Sequence, residues 1–155
     1  MIELYLIVIL LAMLPVVEAL GAITIGILVF HLNPVVVFVL AFVFNSLVYL
    51  PILVFLDRFY PHIKQFSIIK RIVEGARHKG HKQVEKYGYF GLTLFLALPV
   101  PLSGTWTGTL IAWLLGLNKK KAFLAVMVGV FTACLTATLL AVYVPELLRQ
   151  LSGFI

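Results

Sequence analysis

Apolar positions in this chain come in unbroken blocks, Leu4 to Leu32, Pro34 to Leu56, Tyr87 to Leu117 and Ala122 to Leu148, instead of recurring at core-facing intervals. A surface helix of a soluble protein carries one apolar stripe; continuous apolar runs mark segments surrounded by hydrocarbon. Pro34 to Leu56 and Ala122 to Pro145 each have about the ~20–25 residues that cross a hydrocarbon core of roughly 30 Å. They predict two ordinary transmembrane helices.

The other two blocks are longer and are interrupted near their centres, at Pro15 to Gly21 and at Pro99 to Gly104. Proline removes a backbone donor and clashes with the preceding turn. The run Pro99, Pro101, Gly104 therefore frees polar groups that lipid cannot satisfy, and such a break has to be buried in protein or line a cavity. Each arm of a broken block would measure about 22 Å as helix, enough to reach the middle of a bilayer.

Charge selects between crossing and returning. Eight Lys or Arg lie between Asp57 and Lys86, and Lys119, Lys120 and Lys121 follow the third block. Basic clusters flanking apolar segments face the cytoplasm. A single crossing by Tyr87 to Leu117 would separate the two clusters, whereas a hairpin turning at Pro99 to Gly104 keeps them together. Leu4 to Pro15 and Gly21 to Leu32 make a comparable pair entering from the other side. Leu14-Pro15-Val16 recurs as Leu98-Pro99-Val100, Gly21 to Gly26 as Gly104 to Gly108, and Asn33 as Asn118.

The expected fold is thus an all-α membrane protein of two inverted repeats, each a broken re-entrant helical hairpin followed by a transmembrane helix. Within a single membrane domain 1–155, residues 1–56 hold the first hairpin and its helix and 57–86 a basic cytoplasmic connector. Residues 87–155 hold the second hairpin and its helix. Between Pro61 and Glu85 the apolar residues recur at helical spacing among lysines and arginines, which predicts an amphipathic helix on the inner surface.

Composition agrees: 63% of residues are hydrophobic and 12% charged, too little polar surface to clothe a soluble globule. The net charge of +6 comes without any nucleic-acid-binding motif and is read as topology information, so no nucleic-acid partner is expected. Met1 to Leu14 carries Glu3 and no Lys or Arg, so it lacks the basic start of a signal peptide and is expected to stay in the mature chain. The single cysteine, Cys134, is read as packing.

Glu18 is the one ionisable residue deep in an apolar block, and burying it charged without a partner is expensive. It is read as a proton-coupling or cation-binding group, against the alternative of a cap on free N–H groups at the start of its own return arm or of the other hairpin's. Ser103, Thr105 and Thr107 open the second return arm and could serve a ligand or only the local backbone. Asn45 and Ser46 lie halfway through the first crossing helix and need protein or wet surroundings. Gly104 and Gly108 have the spacing of a close helix contact expected against the partner hairpin, and Gly129, Ala133, Thr136 and Ala137 that of a packing face. His78 and His81 lack companions for a metal shell, and no metal or cofactor is expected. The constellations of an intramembrane enzyme are missing: there is no G-x-S-x-G, no H-E-x-x-H, and no His after His81 to activate Ser103. No enzyme is expected.

At the two breaks the sequence resembles the small multidrug export proteins, a family similar to the DedA or VTT-domain membrane proteins. Gly91-Leu92, Phe95, Pro99-Val100-Pro101, Gly104 to Gly108 and Ile111 to Gly116 look like that family's second hairpin and exit arm. Pro15, Glu18, Gly21, Ala22 and Ile23 follow its E-x-R-G-A-I-P pattern, with Leu20 in place of the Arg and Thr24 in place of the second Pro. The resemblance implies facing re-entrant hairpins, a carboxylate near one tip, and transport of lipid-linked phosphates or amphipathic compounds. Neither hairpin contains an Arg to grip a phosphate. The expectation is a multi-pass cell-membrane transporter with a midplane site, working as a homodimer or larger assembly among membrane lipids. The alternative is a non-transporting scaffold or lipid-binding protein.

Overall fold

The computed structural model describes residues 2–63, 88–99 and 103–152, and every regular element among them is helical. Helix α1 spans Ile2–Met13 and stops before Pro15, whose ring cannot continue the ladder and which pushes Leu14 out of helical backbone. Helix α2 spans Glu18–Thr24 and widens into a π-helical turn over Ile25–Val29. Helix α3 spans Pro34–Leu47 and α4 Tyr49–Ile63. Helix α5 covers Gly88–Ala97, α6 Thr105–Leu114 and α7 Lys119–Ser152.

Three expectations change here. Pro34 to Leu56 is not one uninterrupted helix: the ladder breaks at Val48, because Pro51 has no N–H for the Leu47 carbonyl and its ring crowds that carbonyl. Gly21 does not belong to the first break; α2 begins three residues earlier, at Glu18, and Gly21 sits inside its first turns, where an added Cβ would lie 2.6 Å from Val17 Cγ1. Helix α7 exceeds the expected Ala122 to Pro145 at both ends, since Asn118 caps it ahead of the lysines and Pro145 is accommodated within it. Pro101, His78, His81 and the connector from residue 64 onward lie outside the described residues, while Pro61, His62 and Ile63 continue α4.

The helices on either side of each break run back along each other. Gly26 beyond α2 lies against Val8 of α1, and Gly108 of α6 against Leu96 of α5, where an added Cβ would come within 3.0 Å of either side chain. The Tyr89 hydroxyl at the start of α5 accepts from the Asn118 N–H beyond the end of α6, at 3.1 Å. Helices α3 and α7 pack antiparallel, with Phe38 and Phe42 on Phe131 and, further along α3's direction, Tyr49 edge-on to Phe123.

The turns that lead into these two long helices are alike. His31 and Gly116 both take left-handed backbone, with φ of 53° and 68°. A buried leucine follows each, Leu32 and Leu117. Asn33 then accepts from the N–H groups of Val35 and Val36, and Asn118 from those of Lys120 and Lys121, so each asparagine caps its helix.

Several helices carry exposed rows of large apolar side chains and bury alanines on the opposite face. Val35, Val39, Val43 and Leu47 form an exposed row at four-residue spacing on α3, as do Leu124 and Val128 on α7, while Ala12, Ala22, Ala41, Ala112 and Ala133 are buried. That is the arrangement of helices immersed in lipid, where small residues let backbones approach. Gly129 shows the closeness: a Cβ there would stand 2.8 Å from the Thr93 carbonyl of α5. Taken together across the interruption at Val48, α3 and α4 (Pro34–His62), and Lys119–Leu147 of α7, are each long and apolar enough to cross a bilayer.

Candidate functional site

The two breaks meet, and the groups each leaves unpaired are answered by the other. Helix α1 ends with carbonyls that have no partner further along the chain. The Asn45 side-chain amide donates to the Ala12 carbonyl at 2.7 Å, and the Trp106 indole N–H donates to the Met13 carbonyl at 3.1 Å. At its other end the Asn45 carbonyl oxygen accepts from the Thr105 hydroxyl at 2.6 Å. Asn45 is completely buried and spends both ends of its amide on joining α1, α3 and α6.

Helix α6 presents the opposite need, free N–H groups at its start. Gly104 is its N-cap residue and has no side chain to offer. The Gly104 N–H donates instead to Glu18 Oε2 at 2.9 Å. The fit depends on glycine: a Cβ on Gly104 would lie 2.5, 2.7 and 2.9 Å from Oε2, Cδ and Oε1 of Glu18.

Glu18 is 2% exposed and adopts φ of 50°, a left-handed conformation uncommon for any residue with a Cβ. The Trp106 backbone N–H also interacts with this carboxylate, while Oε1 is buried and has no geometric hydrogen-bond partner among the described residues. A helix N-terminus favours negative charge, so the start of α6 attracts this carboxylate through the Gly104 and Trp106 N–H groups, yet Oε1 ends without such a partner. One step along α3 from Asn45, Ser46 Oγ is likewise buried without a partner.

The remaining residues singled out from the sequence divide around this junction. Thr105 is fully buried and committed to Asn45, and its carbonyl accepts from Thr109. Ser103 is buried and donates to the Leu98 carbonyl, closing the second break on itself at 3.0 Å. Thr107 is half-buried in the first turn of α6 and makes contacts of its own. Pro15 and Pro99 are exposed at the two breaks. Gly108 faces Leu96 of α5 together with Val126 of α7, and not the expected α1–α2 break, so of the two glycines only Gly104 reaches across. Cys134 of α7 is buried with a free thiol.

Sequence reasoning passed over Trp106 and Thr109. Nothing local marks them, since the partner of the Trp106 indole is a backbone carbonyl ninety-three positions earlier. Beside the junction lies an apolar cavity of about 650 Å³, bordered by Val17, Leu20, Pro99, Leu140 and Val144 among others. Drug-sized ligands occupy pockets of about 300–1,000 Å³ with mostly apolar walls.

Two further groups join helices away from the junction. The Asp57 carboxylate of α4 accepts from the Trp113 indole of α6 at 2.9 Å and pairs with Lys119 of α7. The Tyr49 hydroxyl donates to the Lys119 carbonyl at 2.9 Å.

Residues 18–136 match the family described as "Putative small multi-drug export protein". No curated protein and no solved structure matches the chain.

Proposed function

Because the chain belongs to the small multi-drug export protein family and carries two helices able to cross a bilayer, we propose that this membrane protein is a transporter, not an enzyme, moving amphipathic small molecules past the junction of the two breaks, with Glu18 as its proton or cation acceptor. The observation that carries this reading is the second oxygen of Glu18, buried and without a geometric hydrogen-bond partner among the described residues. A structural cap needs one acceptor, and a neutral Ser or Thr would provide it at less cost than a buried carboxylate. An unpaired acceptor held inside the membrane domain is where a proton or a cationic group gains most. The adjoining apolar cavity supplies the surface for an amphipathic or lipid-linked cargo.

In this proposal each pair of arms is a re-entrant hairpin, the two halves are inverted repeats, and the site lies near the midplane. The matching turns at His31-Leu32-Asn33 and Gly116-Leu117-Asn118 support the repeat, and the nested contacts of the arms support the hairpins. The basic segment 57–86 and Lys119 to Lys121 then face the cytoplasm. The similarity to DedA or VTT-domain proteins is part of the same proposal. Two crossing helices and two short-armed hairpins enclose little beyond the junction, so the working unit is taken to be a homodimer or larger assembly.

A non-transporting scaffold draws support from the Gly104 hydrogen bond, which by itself is a helix cap. Glu18→Gln separates the two readings, because the amide oxygen still accepts from Gly104 but no longer exchanges a proton. In proteoliposomes loaded with a fluorescent amphiphile, an imposed pH gradient should drive flux through the wild type and not through Glu18→Gln, with both proteins equally folded. Equal flux, or a loss of folding alone, would count against the transporter.

A further inference from the structure

Where α4 passes the start of α7, Tyr49, Leu50, Leu53, Phe123 and Leu124 wall a groove of about 480 Å³ on the outside of the helix pair, with Lys119 and Lys120 at its rim. We propose that this seam is a binding site for an anionic phospholipid, which lays an acyl chain in the groove and sets its phosphate against Lys120. The site is independent of the junction at Glu18.

The groove is a built feature. Tyr49 is nearly fully buried, its ring stands edge-on to Phe123 at 5.1 Å, and its hydroxyl holds the Lys119 carbonyl, so the corner between α4 and α7 is fixed from both sides. Leu50 and Leu124 are exposed, which in a membrane domain means that they face lipid tails. An apolar groove there already has its occupant as solvent; the lysines decide which lipid is preferred.

The two lysines are not equivalent. Lys119 already has an anionic partner in Asp57, whose other oxygen takes the Trp113 indole N–H. Lys120 is exposed, and its side chain has no hydrogen-bond or ion-pair partner among the described residues. Nor does the helix N-terminus supply the attraction, because Asn118 already accepts from the backbone N–H groups of Lys120 and Lys121. Among the described residues lining the groove, the cation without a side-chain partner is the Lys120 ammonium.

The turn itself does not require lysine. The same asparagine cap at Asn33 is followed by Pro34, Val35 and Val36, and α3 starts there without any charge. A basic side chain near an anionic membrane surface contributes about a fivefold preference for anionic over zwitterionic lipid.

The test is native mass spectrometry of the protein released from mixed micelles containing phosphatidylglycerol and phosphatidylcholine of identical acyl chains. Wild type should retain phosphatidylglycerol preferentially. Lys120→Gln should lower that preference about fivefold and Lys120→Arg should keep it. Leu124→Trp, which narrows the groove from its lipid-facing side, should reduce retention of the bound lipid in a protein whose thermal unfolding is unchanged. Equal retention of the two lipids by wild type, or an unchanged preference in Lys120→Gln, overturns the assignment.

Discussion

A methyl group at Gly104 is the sharpest perturbation of the junction. It would stand 2.5 Å from Glu18 Oε2 and 2.7 Å from Cδ, so the carboxylate must retreat by roughly 1 Å or more to reach ordinary contact. Retreat breaks the Gly104 N–H bond to Oε2 and leaves the start of α6 uncapped. A hydrogen bond to a charged acceptor is worth about 1.5–3 kcal/mol, and overpacking a filled site adds about 1–3 kcal/mol. Gly104→Ala should therefore lower stability by about 2.5–6 kcal/mol. Glu18→Ala removes the cap and the obstacle together and should cost about 1–2 kcal/mol. The two changes should not add: with the carboxylate gone the new methyl has space, and the double variant should resemble Glu18→Ala, giving a coupling about as large as the whole Gly104→Ala loss. Equilibrium unfolding of all four proteins in bicelles measures the cycle. Additive losses, or a Gly104→Ala protein as stable as wild type, would refute the contact.

Asn45→Ala strands the Ala12 carbonyl and the Thr105 hydroxyl, and by the measured range for polar contacts between membrane helices it should cost about 1–2 kcal/mol in the same unfolding assay. Gly129→Ala forces a methyl against the Thr93 carbonyl, whose backbone cannot give way, whereas Gly91→Ala meets nothing within 4 Å. The first should unfold at clearly lower denaturant than wild type, and the second at the same denaturant or higher, since alanine is the better helix former by about 1 kcal/mol. Asp57→Asn dissolves an ion pair whose side chains are 43% and 59% exposed, and should cost no more than about 1 kcal/mol, with expression and folding otherwise normal.

The sequence showed the apolar blocks, the prolines Pro15 and Pro99 near their interruptions, and the carboxylate of Glu18 inside one of them, but not where the helices end. Each of these is a local signal: Pro15 acts on its own turn, and an ionisable residue within an apolar run is conspicuous by contrast. What completed the junction was not local. Glu18 meets the Gly104 N–H, one of the two helix starts the sequence offered it as a cap without choosing between them; Asn45 reaches two residues far apart in the chain. The interruption at Val48 did have a signal in Pro51, but it was hidden because the hydropathy of Pro34 to Leu56 does not change across it. The correspondence of Asn33 with Asn118 was visible as a repeated letter, while its meaning as a shared helix cap needed the left-handed residues at His31 and Gly116, of which only the glycine is the expected type.

The proposed transporter needs two oppositely directed hairpins whose breaks meet inside the bilayer, and the side from which each turn can be reached tests that arrangement most directly. In a Cys134→Ala background, single cysteines at His31, Lys121 and Leu14 would be treated with a membrane-impermeant maleimide in intact and in inverted vesicles. His31→Cys should be labelled from one side only, Lys121→Cys from the other side only, and Leu14→Cys from neither. Labelling of His31→Cys and Lys121→Cys from the same side, or ready labelling of Leu14→Cys, would contradict the opposed hairpins and the site placed between them.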